Sequence, residues 1–249
     1  MIKADNLSFS YPQKELFHNI SFTLEPARHC ALIGTSGCGK STLLDILMDP
    51  ERLPFDGRLT IEPGVRLGYV RQFATANRLT DQTVSAFMGE TFFQLQDRLA
   101  AICTALETAT DPDPLLNDYQ RTLDDLDAIG ADDFESRIDR QLGLANLLSH
   151  RDRMLSTLSG GEQKLVQMMK AMLLQPDLLI LDEPDAYLDF GNLEALRDLL
   201  NAHKGALLVI THNRYLLNHC FHKILHLEGC ALQEFDGRYV DYTHSLLEA

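Results

Sequence analysis

The sequence of 249 residues lacks long apolar runs: it has no stretch of about 18 apolar residues and no charged and apolar leader at its start. A helix that spans a membrane needs about 20 apolar residues. We therefore expect no transmembrane segment of its own and no signal peptide. The expected location is the cytoplasm, at the inner face of a membrane only if a partner holds the chain there.

Paired cysteines are lacking as well. The chain has 5 cysteines, an odd number, without a C-x-x-C pair. Disulfides belong to oxidising compartments, so a reduced compartment is the simplest interpretation. The sequence shows no internal repeat, and its length suffices for one large domain with a full core.

The sequence does contain a phosphate-binding pattern, which follows the apolar run 30–33. Its glycines let the backbone wrap phosphates, and N–H groups at the start of the next helix form an anion site. Lys40 is predicted to reach the β and γ phosphates, and the Ser41 hydroxyl to ligate Mg²⁺. The pattern predicts a nucleoside triphosphate site made by Gly34, Thr35, Ser36, Gly37, Cys38, Gly39, Lys40, Ser41 and Thr42.

Two further segments follow in order along the chain. Residues 158–163 are Leu-Ser-Gly-Gly-Glu-Gln, in which Ser159 is a good helix N-cap and the glycines allow close approach. We expect a second phosphate-binding helix terminus there. Residues 178–183 are Leu-Leu-Ile-Leu-Asp-Glu, which suits a buried strand of a parallel sheet ending in two acids. Together with the phosphate-binding pattern, these segments resemble the ATP-binding cassette (ABC) ATPases.

The resemblance implies an enzyme that binds ATP with Mg²⁺ and hydrolyses ATP to ADP and phosphate. In this family the signature serves the nucleotide of a facing cassette, and here it consists of Ser159, Gly160, Gly161 and Glu162. The sequence contains one cassette, so the implied partner is a second cassette, either another copy of this chain or a different one. The chain could also be a fragment of a longer protein.

The same resemblance implies roles for single residues. Asp182 would hold Mg²⁺, and Glu183 would be the general base for the attacking water. Gln72 would contact Mg²⁺ and sense the γ-phosphate, and His212 would bond that phosphate. Asp189 would be the retained aspartate of the D-loop, with a catalytic role.

An aromatic residue near the amino terminus would stack on adenine. Tyr11 occupies the place that the family uses, and Phe9 is its nearest rival. Strand alternation would turn both rings to the same face, so periodicity does not separate them.

The predicted fold class is α/β: an ABC nucleotide-binding domain with a RecA-like parallel-sheet core, an antiparallel β lobe and a helical signature lobe with an extended helical insert. We expect a single domain over 1–249. Its β lobe and nucleotide core would comprise 1–72 and 159–228, its helical lobe 73–157 and its C-terminal tail 229–249. Within the helical lobe, periodic segments at 92–106 and 115–129 on either side of Asp-Pro-Asp-Pro predict a helical hairpin.

The long insert resembles the first cassette of ABC-F proteins, which are soluble translation factors and ribosome-protecting resistance proteins. The tail at 229–242 and the Arg-Tyr-Leu at 214–216 resemble that class too, whereas 184–189 and Asn213 depart from its pattern. The resemblance implies the ribosome as partner. The alternative is the ATP-hydrolysing subunit of a membrane ABC transporter, whose partner would be a permease.

The hairpin region is poor in positive charge. Residues 92–141 contain twelve Asp and Glu, four Arg and no Lys, within a chain of net charge −14. A surface that follows phosphates would be basic, so charge does not favour RNA here. The region is either a coupling surface for a basic partner or a solvated acidic face.

Overall fold

The computed structural model describes residues 1–71 and 82–248, which form two compact units. The strands are β1 (Ile2–Tyr11), β2 (Lys14–Leu24), β3 (His29–Ile33), β4 (Asp56–Ile61), β5 (Leu67–Val70), β6 (Leu178–Asp182), β7 (Ala206–Ile210), β8 (Lys223–Glu228) and β9 (Ala231–Asp236). The α-helices are α1 (Lys40–Met48), α2 (Val84–Met88), α3 (Glu90–Leu106), α4 (Asp113–Ala128), α5 (Phe134–Leu144), α6 (Gly160–Leu173), α7 (Phe190–Ala202), α8 (Arg214–Cys220) and α9 (Tyr239–Glu248).

The first unit contains both sheets. Its larger sheet has the strand order β5-β6-β7-β3-β8-β9, parallel except for the antiparallel edge strand β9. Every residue of β6 and β7 is buried, as central strands covered on both faces require. The smaller sheet is antiparallel with the order β2-β1-β4. These two sheets confirm the predicted α/β fold with a parallel core and an antiparallel lobe.

One apolar cluster fills this unit between the antiparallel sheet, α1 and the parallel sheet. Phe17 of β2, Leu44 of α1 and Ile180 of β6 belong to it and are almost fully buried. The predicted tail returns to the same unit, where the Tyr242 hydroxyl of α9 is hydrogen-bonded to His226 Nδ1 of β8 at 2.6 Å. Leu32 before the phosphate-binding loop and Leu43 after it belong to the same cluster, so both ends of the loop are anchored in one core.

The second unit is helical and contains α2 to α6. Helices α3 and α4 pack on each other as the predicted hairpin, and α4 begins with proline in its first turn. The buried residues of α4 are Thr122 and Leu126, whereas Asp124, Asp125 and Asp127 are exposed. The insert therefore has an apolar inner face and an acidic outer face.

Helix α6, which follows the signature, lies in this helical unit. The domain bounds expected from the sequence grouped 159–228 with the nucleotide core instead. Helix α6 belongs to the helical unit because it contacts α2, α3 and α5. Lys170 forms an ion pair with Glu90 of α3 and lies 4.1 Å from the ring centroid of Phe87 in α2. Among the described residues, no helix is long and apolar enough to cross a membrane.

Candidate nucleotide site

The phosphate-binding loop joins the buried strand β3 to α1, and its backbone requires glycine at two places. A Cβ on Gly34 would lie 2.2 Å from the carbonyl oxygen of Leu227, which is too close for any side chain. Gly39 has φ +111°, a conformation that residues with a Cβ rarely adopt. The neighbouring strand β8 and the turn into α1 therefore determine the shape of the loop.

Lys40 is folded back over this loop. Its side chain is 7% exposed, and Nζ donates to the carbonyl oxygens of Gly34 at 2.8 Å and Thr35 at 3.1 Å. The ammonium is thus held beside the backbone that would surround the phosphates. Residues 35–37 are exposed, as an open anion site requires. Their outer side carries a second cation, because Lys14 Nζ donates to the Gly37 carbonyl oxygen at 2.7 Å.

Asp182 and Ser41 come together at the carboxyl end of β6. Asp182 is 6% exposed, and its carboxylate interacts with the Ser41 hydroxyl. Burial raises the pKa of Asp182, and the charge of Glu183 adds to this, while the Ser41 bond and Lys40 oppose it. A carboxylate in this position is stabilised by a nearby cation.

These two side chains fit Mg²⁺, which prefers oxygen ligands and usually keeps several waters while contacting substrate phosphates. In the described part of the chain, no group of three or more His, Cys, Asp or Glu could hold a metal ion. The other ligands would then be water and phosphate oxygens. Gln72, the third predicted metal ligand, lies outside the described residues.

Glu183 directly follows β6 in an unusual backbone conformation. Its φ is +49°, which is uncommon for a residue with a side chain and costs on the order of 1 kcal/mol. The conformation is held by its N–H, which donates to the Ile210 carbonyl oxygen of β7 at 3.0 Å. This turn places the half-buried Glu183 beside Asp182, at the edge where β3 meets the phosphate loop.

His212 follows β7, the strand between β6 and β3, and is exposed. The residues on either side hold it in place. The Asn213 N–H donates to Thr211 Oγ1 at 3.0 Å, and Asn213 Oδ1 accepts from the N–H groups of Tyr215 and Leu216. Asn213 is therefore the N-cap of α8. Its amide oxygen can accept these bonds as well as the carboxylate of an aspartate would.

Asp189 has a defined structural role. It is exposed, and its Oδ1 accepts from the Asn192 N–H at 2.8 Å, which makes it the N-cap of α7. The family resemblance implied only a D-loop role for Asp189, although an aspartate before a helix also signals an N-cap. The catalytic role of Asp189 stays a prediction.

The structure separates the two aromatic candidates for adenine stacking. Phe9 is 6% exposed and packs towards Phe17 in the core, whereas Tyr11 is 47% exposed. The Tyr11 ring rests edge-on against Phe9, with centroids 5.0 Å apart and planes at 88°. Of these two rings, the exposed Tyr11 is the one accessible to a planar ligand, which favours it over Phe9.

The signature residues open α6 in the helical unit. Ser159 Oγ accepts from the Glu162 N–H at 3.3 Å, and Glu162 Oε2 accepts from the Ser159 N–H at 2.8 Å. This capping box confirms Ser159 as an N-cap. Burial would raise the pKa of Glu162, but the bonds from Ser159 outweigh it and lower that pKa. Gly160 is exposed, and a Cβ there would meet nothing within 4 Å, so the helix terminus is accessible.

The chain matches a known protein family and several known proteins. The family described as ABC transporter matches residues 17–186. The chain is 30% identical over 252 residues to the uncharacterized ABC transporter ATP-binding protein YfmM of Bacillus subtilis, covering 96% of this chain and 47% of that protein.

Two other relatives have names that state a class or a process. The chain is 28% identical over 250 residues to ABC transporter F family member 5 of Arabidopsis thaliana, covering 100% of this chain and 31% of that protein. It is 28% identical over 241 residues to the energy-dependent translational throttle protein EttA of Mycobacterium tuberculosis, covering 96% and 42%. The chain thus spans less than half the length of these three relatives.

A solved nucleotide-free ATP-binding cassette from an ABC transporter has the same fold. It matches with a TM-score of 0.66 and 19% identity, over 100% of this chain and 95% of that chain. At this identity the match shows the fold alone.

Proposed function

The chain belongs to the ABC transporter family, whose cassettes bind and hydrolyse ATP, and we propose that it is an ABC-F cassette acting on the translation machinery in the cytoplasm. The observation that carries this proposal is the match over nearly the whole chain to an ABC transporter F family member and to a translational throttle protein. The acidic hairpin of α3 and α4 lies within the matched length and supports it.

We assign the chemistry to the residues gathered after β3 and at the end of β6. Lys40 and the loop N–H groups would hold the phosphates, and Ser41 with Asp182 would hold Mg²⁺, which neutralises phosphate charge when bound. Glu183 would orient the attacking water and take up its proton. Phosphoryl transfer needs mainly positioning and charge neutralisation, which these residues can supply.

A second cassette would complete the site. The exposed helix terminus at Ser159 and Gly160 has donors that could form hydrogen bonds to a phosphate. The phosphate-binding loop of the same chain already provides one such site, and one γ-phosphate does not need both from one chain. We propose that each signature contacts the nucleotide of a facing cassette. The facing cassette is either a second copy of this chain or a separate one.

The hairpin would be the surface that contacts the partner. Its exposed Asp124, Asp125 and Asp127 carry charge of the wrong sign for RNA phosphates. They fit a basic protein surface, such as that of a ribosomal protein, because opposite charges favour encounter and register.

The test uses the Glu183→Gln variant, which should retain ATP and keep the paired cassettes closed around it. The variant is mixed with purified ribosomes, and the mixture is sedimented through sucrose. We expect co-sedimentation with ATP, none with ADP, and none for Glu183→Gln combined with Lys40→Ala. Sedimentation with membrane vesicles that contain a permease, but not with ribosomes, would favour the transporter alternative.

The hairpin is tested in the same assay with Asp125→Lys and Asp127→Lys together. Asp49→Lys with Glu51→Lys is the matched control, since these exposed acids give the same change in net charge away from the hairpin. We expect the first pair to lose ribosome binding and the control pair to keep it. Equal binding by both pairs would show that the acidic face is only solvated.

A further inference from the structure

Strand β2 lies along the outer side of the phosphate-binding loop. A Cβ on Gly39 would lie 3.0 Å from Leu16 Cβ, and Lys14 Nζ lies 2.7 Å from the Gly37 carbonyl oxygen. Lys14 and Leu16 thus both contact the loop from β2. The start of β2 therefore follows the loop from Gly39 to Gly37.

Lys14 is also the strand partner of the residue whose ring is assigned to adenine. Strands β1 and β2 pair so that Tyr11 and Lys14 are directly opposite each other, across a turn at residues 12 and 13. In any adenine nucleotide, the ribose and the α-phosphate connect the base to the β-phosphate. A side chain that begins beside Tyr11 and ends at the loop spans that same interval.

The ammonium of Lys14 retains capacity to bind an anion. It has no ion-pair partner within the described ranges 1–71 and 82–248, and its one hydrogen bond uses one of three donors. Lys40, in contrast, is buried and directs its ammonium to two carbonyl oxygens. In a chain of net charge −14, an unpaired cation at the loop is a distinctive feature.

We propose that Lys14 is a nucleotide-binding residue, whose ammonium contacts the phosphate nearest the ribose of a bound adenine nucleotide. The inference rests on the nucleotide site assigned under Proposed function. It extends that site to the antiparallel sheet, so that base, ribose-proximal phosphate and terminal phosphates are each contacted by a different part of the first unit.

The experiment is titration calorimetry with ATP and with ADP on the wild-type chain, Lys14→Met, Lys14→Arg and Lys3→Met. Lys3 is the matched control because it lies in the same sheet, with a side chain 61% exposed, but is paired with Asp5. We expect Lys14→Met to weaken ATP and ADP about equally, by roughly fivefold to thirtyfold, the usual worth of a charge-assisted contact. Lys14→Arg should keep most of the affinity, and Lys3→Met all of it.

Salt dependence separates a phosphate contact from a role in supporting the loop. The affinity gap between wild type and Lys14→Met should narrow as ionic strength rises, because added ions screen an exposed charge pair. A gap that does not change with salt, a loss confined to ATP, or unchanged affinity would each overturn the inference. If the wild-type chain itself bound neither nucleotide, the phosphate-loop assignment would fail first.

Discussion

Replacing Ser159 by alanine and by aspartate separates the two functions that this residue would have. Within one chain, Ser159 caps α6 through the reciprocal bonds with Glu162 at 3.3 and 2.8 Å. Between two chains, it would donate to a γ-phosphate. Alanine removes both interactions, whereas aspartate keeps an oxygen that can cap the helix but adds a negative charge.

The size of each effect follows from this geometry. Ser159→Ala removes the N-cap of α6. In the absence of nucleotide, it should therefore lower the free energy of unfolding by about 1 kcal/mol. Ser159→Asp should leave that free energy unchanged or slightly raised, because a carboxylate is favourable at a helix N-terminus. Against a phosphate at about 4 Å, the same carboxylate should cost about 1 to 4 kcal/mol per site. With two sites in a dimer, the lower value already weakens association roughly thirtyfold.

The assay is urea unfolding without nucleotide, followed by light scattering with ATP, each variant being combined with Glu183→Gln. We expect the Glu183→Gln parent to form a dimer with ATP if the facing cassette is a second copy of this chain. Both variants should then lose that dimer, and only Ser159→Ala should lose stability. A Ser159→Asp protein that dimerises with ATP as well as its parent would refute a phosphate contact at the signature. Loss of the dimer in Ser159→Ala alone would mean that only helix stability matters.

Two further predictions concern single residues of the first unit. Glu183→Gln should bind ATP normally but lower the hydrolysis rate by roughly 10²- to 10⁴-fold, as measured by phosphate release, and a wild-type rate would exclude Glu183 as the base. Burial, with the charge of His29, lowers the pKa of His203 from 6.5 to about 4. As pH falls, His203 therefore takes up a proton in the unfolded chain before it does so in the folded one. The free energy of unfolding should fall by about 3 kcal/mol between pH 6.5 and pH 4. His203→Gln should remove most of this fall in urea unfolding, whereas replacing the exposed His244 should not, and equal curves for both would refute the assignment.

The sequence predicted best those features that depend on local backbone requirements. The loop between β3 and α1 needs glycine at Gly34 and Gly39, and the hairpin needs an apolar period with prolines at its turn. Ser159 was predicted as a cap for the same reason, since capping involves only the next three residues. Each of these features is encoded within a few consecutive positions.

Features that depend on packing between distant segments were not predictable in the same way. Alternation places Phe9 and Tyr11 on one face, and only the core around Phe17 shows that Phe9 is buried. Lys14 belongs to no motif, and its contact with Gly37 depends on how β2 packs against the loop. The grouping of α6 with the helical unit depends on Lys170 and its partners in α2 and α3.

The packing of the hairpin also decides how its function can be tested. Phe92 of α3 stacks on Phe134 of α5, with ring centroids 4.8 Å apart. The guanidinium of Arg137 in α5 donates to the carbonyl oxygens of Ile129 and Gly130 at the end of α4. Arg137 is 8% exposed. Deleting the hairpin would uncover Phe134 and remove those two acceptors from Arg137, at a cost of several kcal/mol. Because α5 packs on α6, that damage would extend to the helix that carries the signature. Charge reversal on the exposed face changes none of these contacts, so it probes the surface of the hairpin without disturbing the cassette.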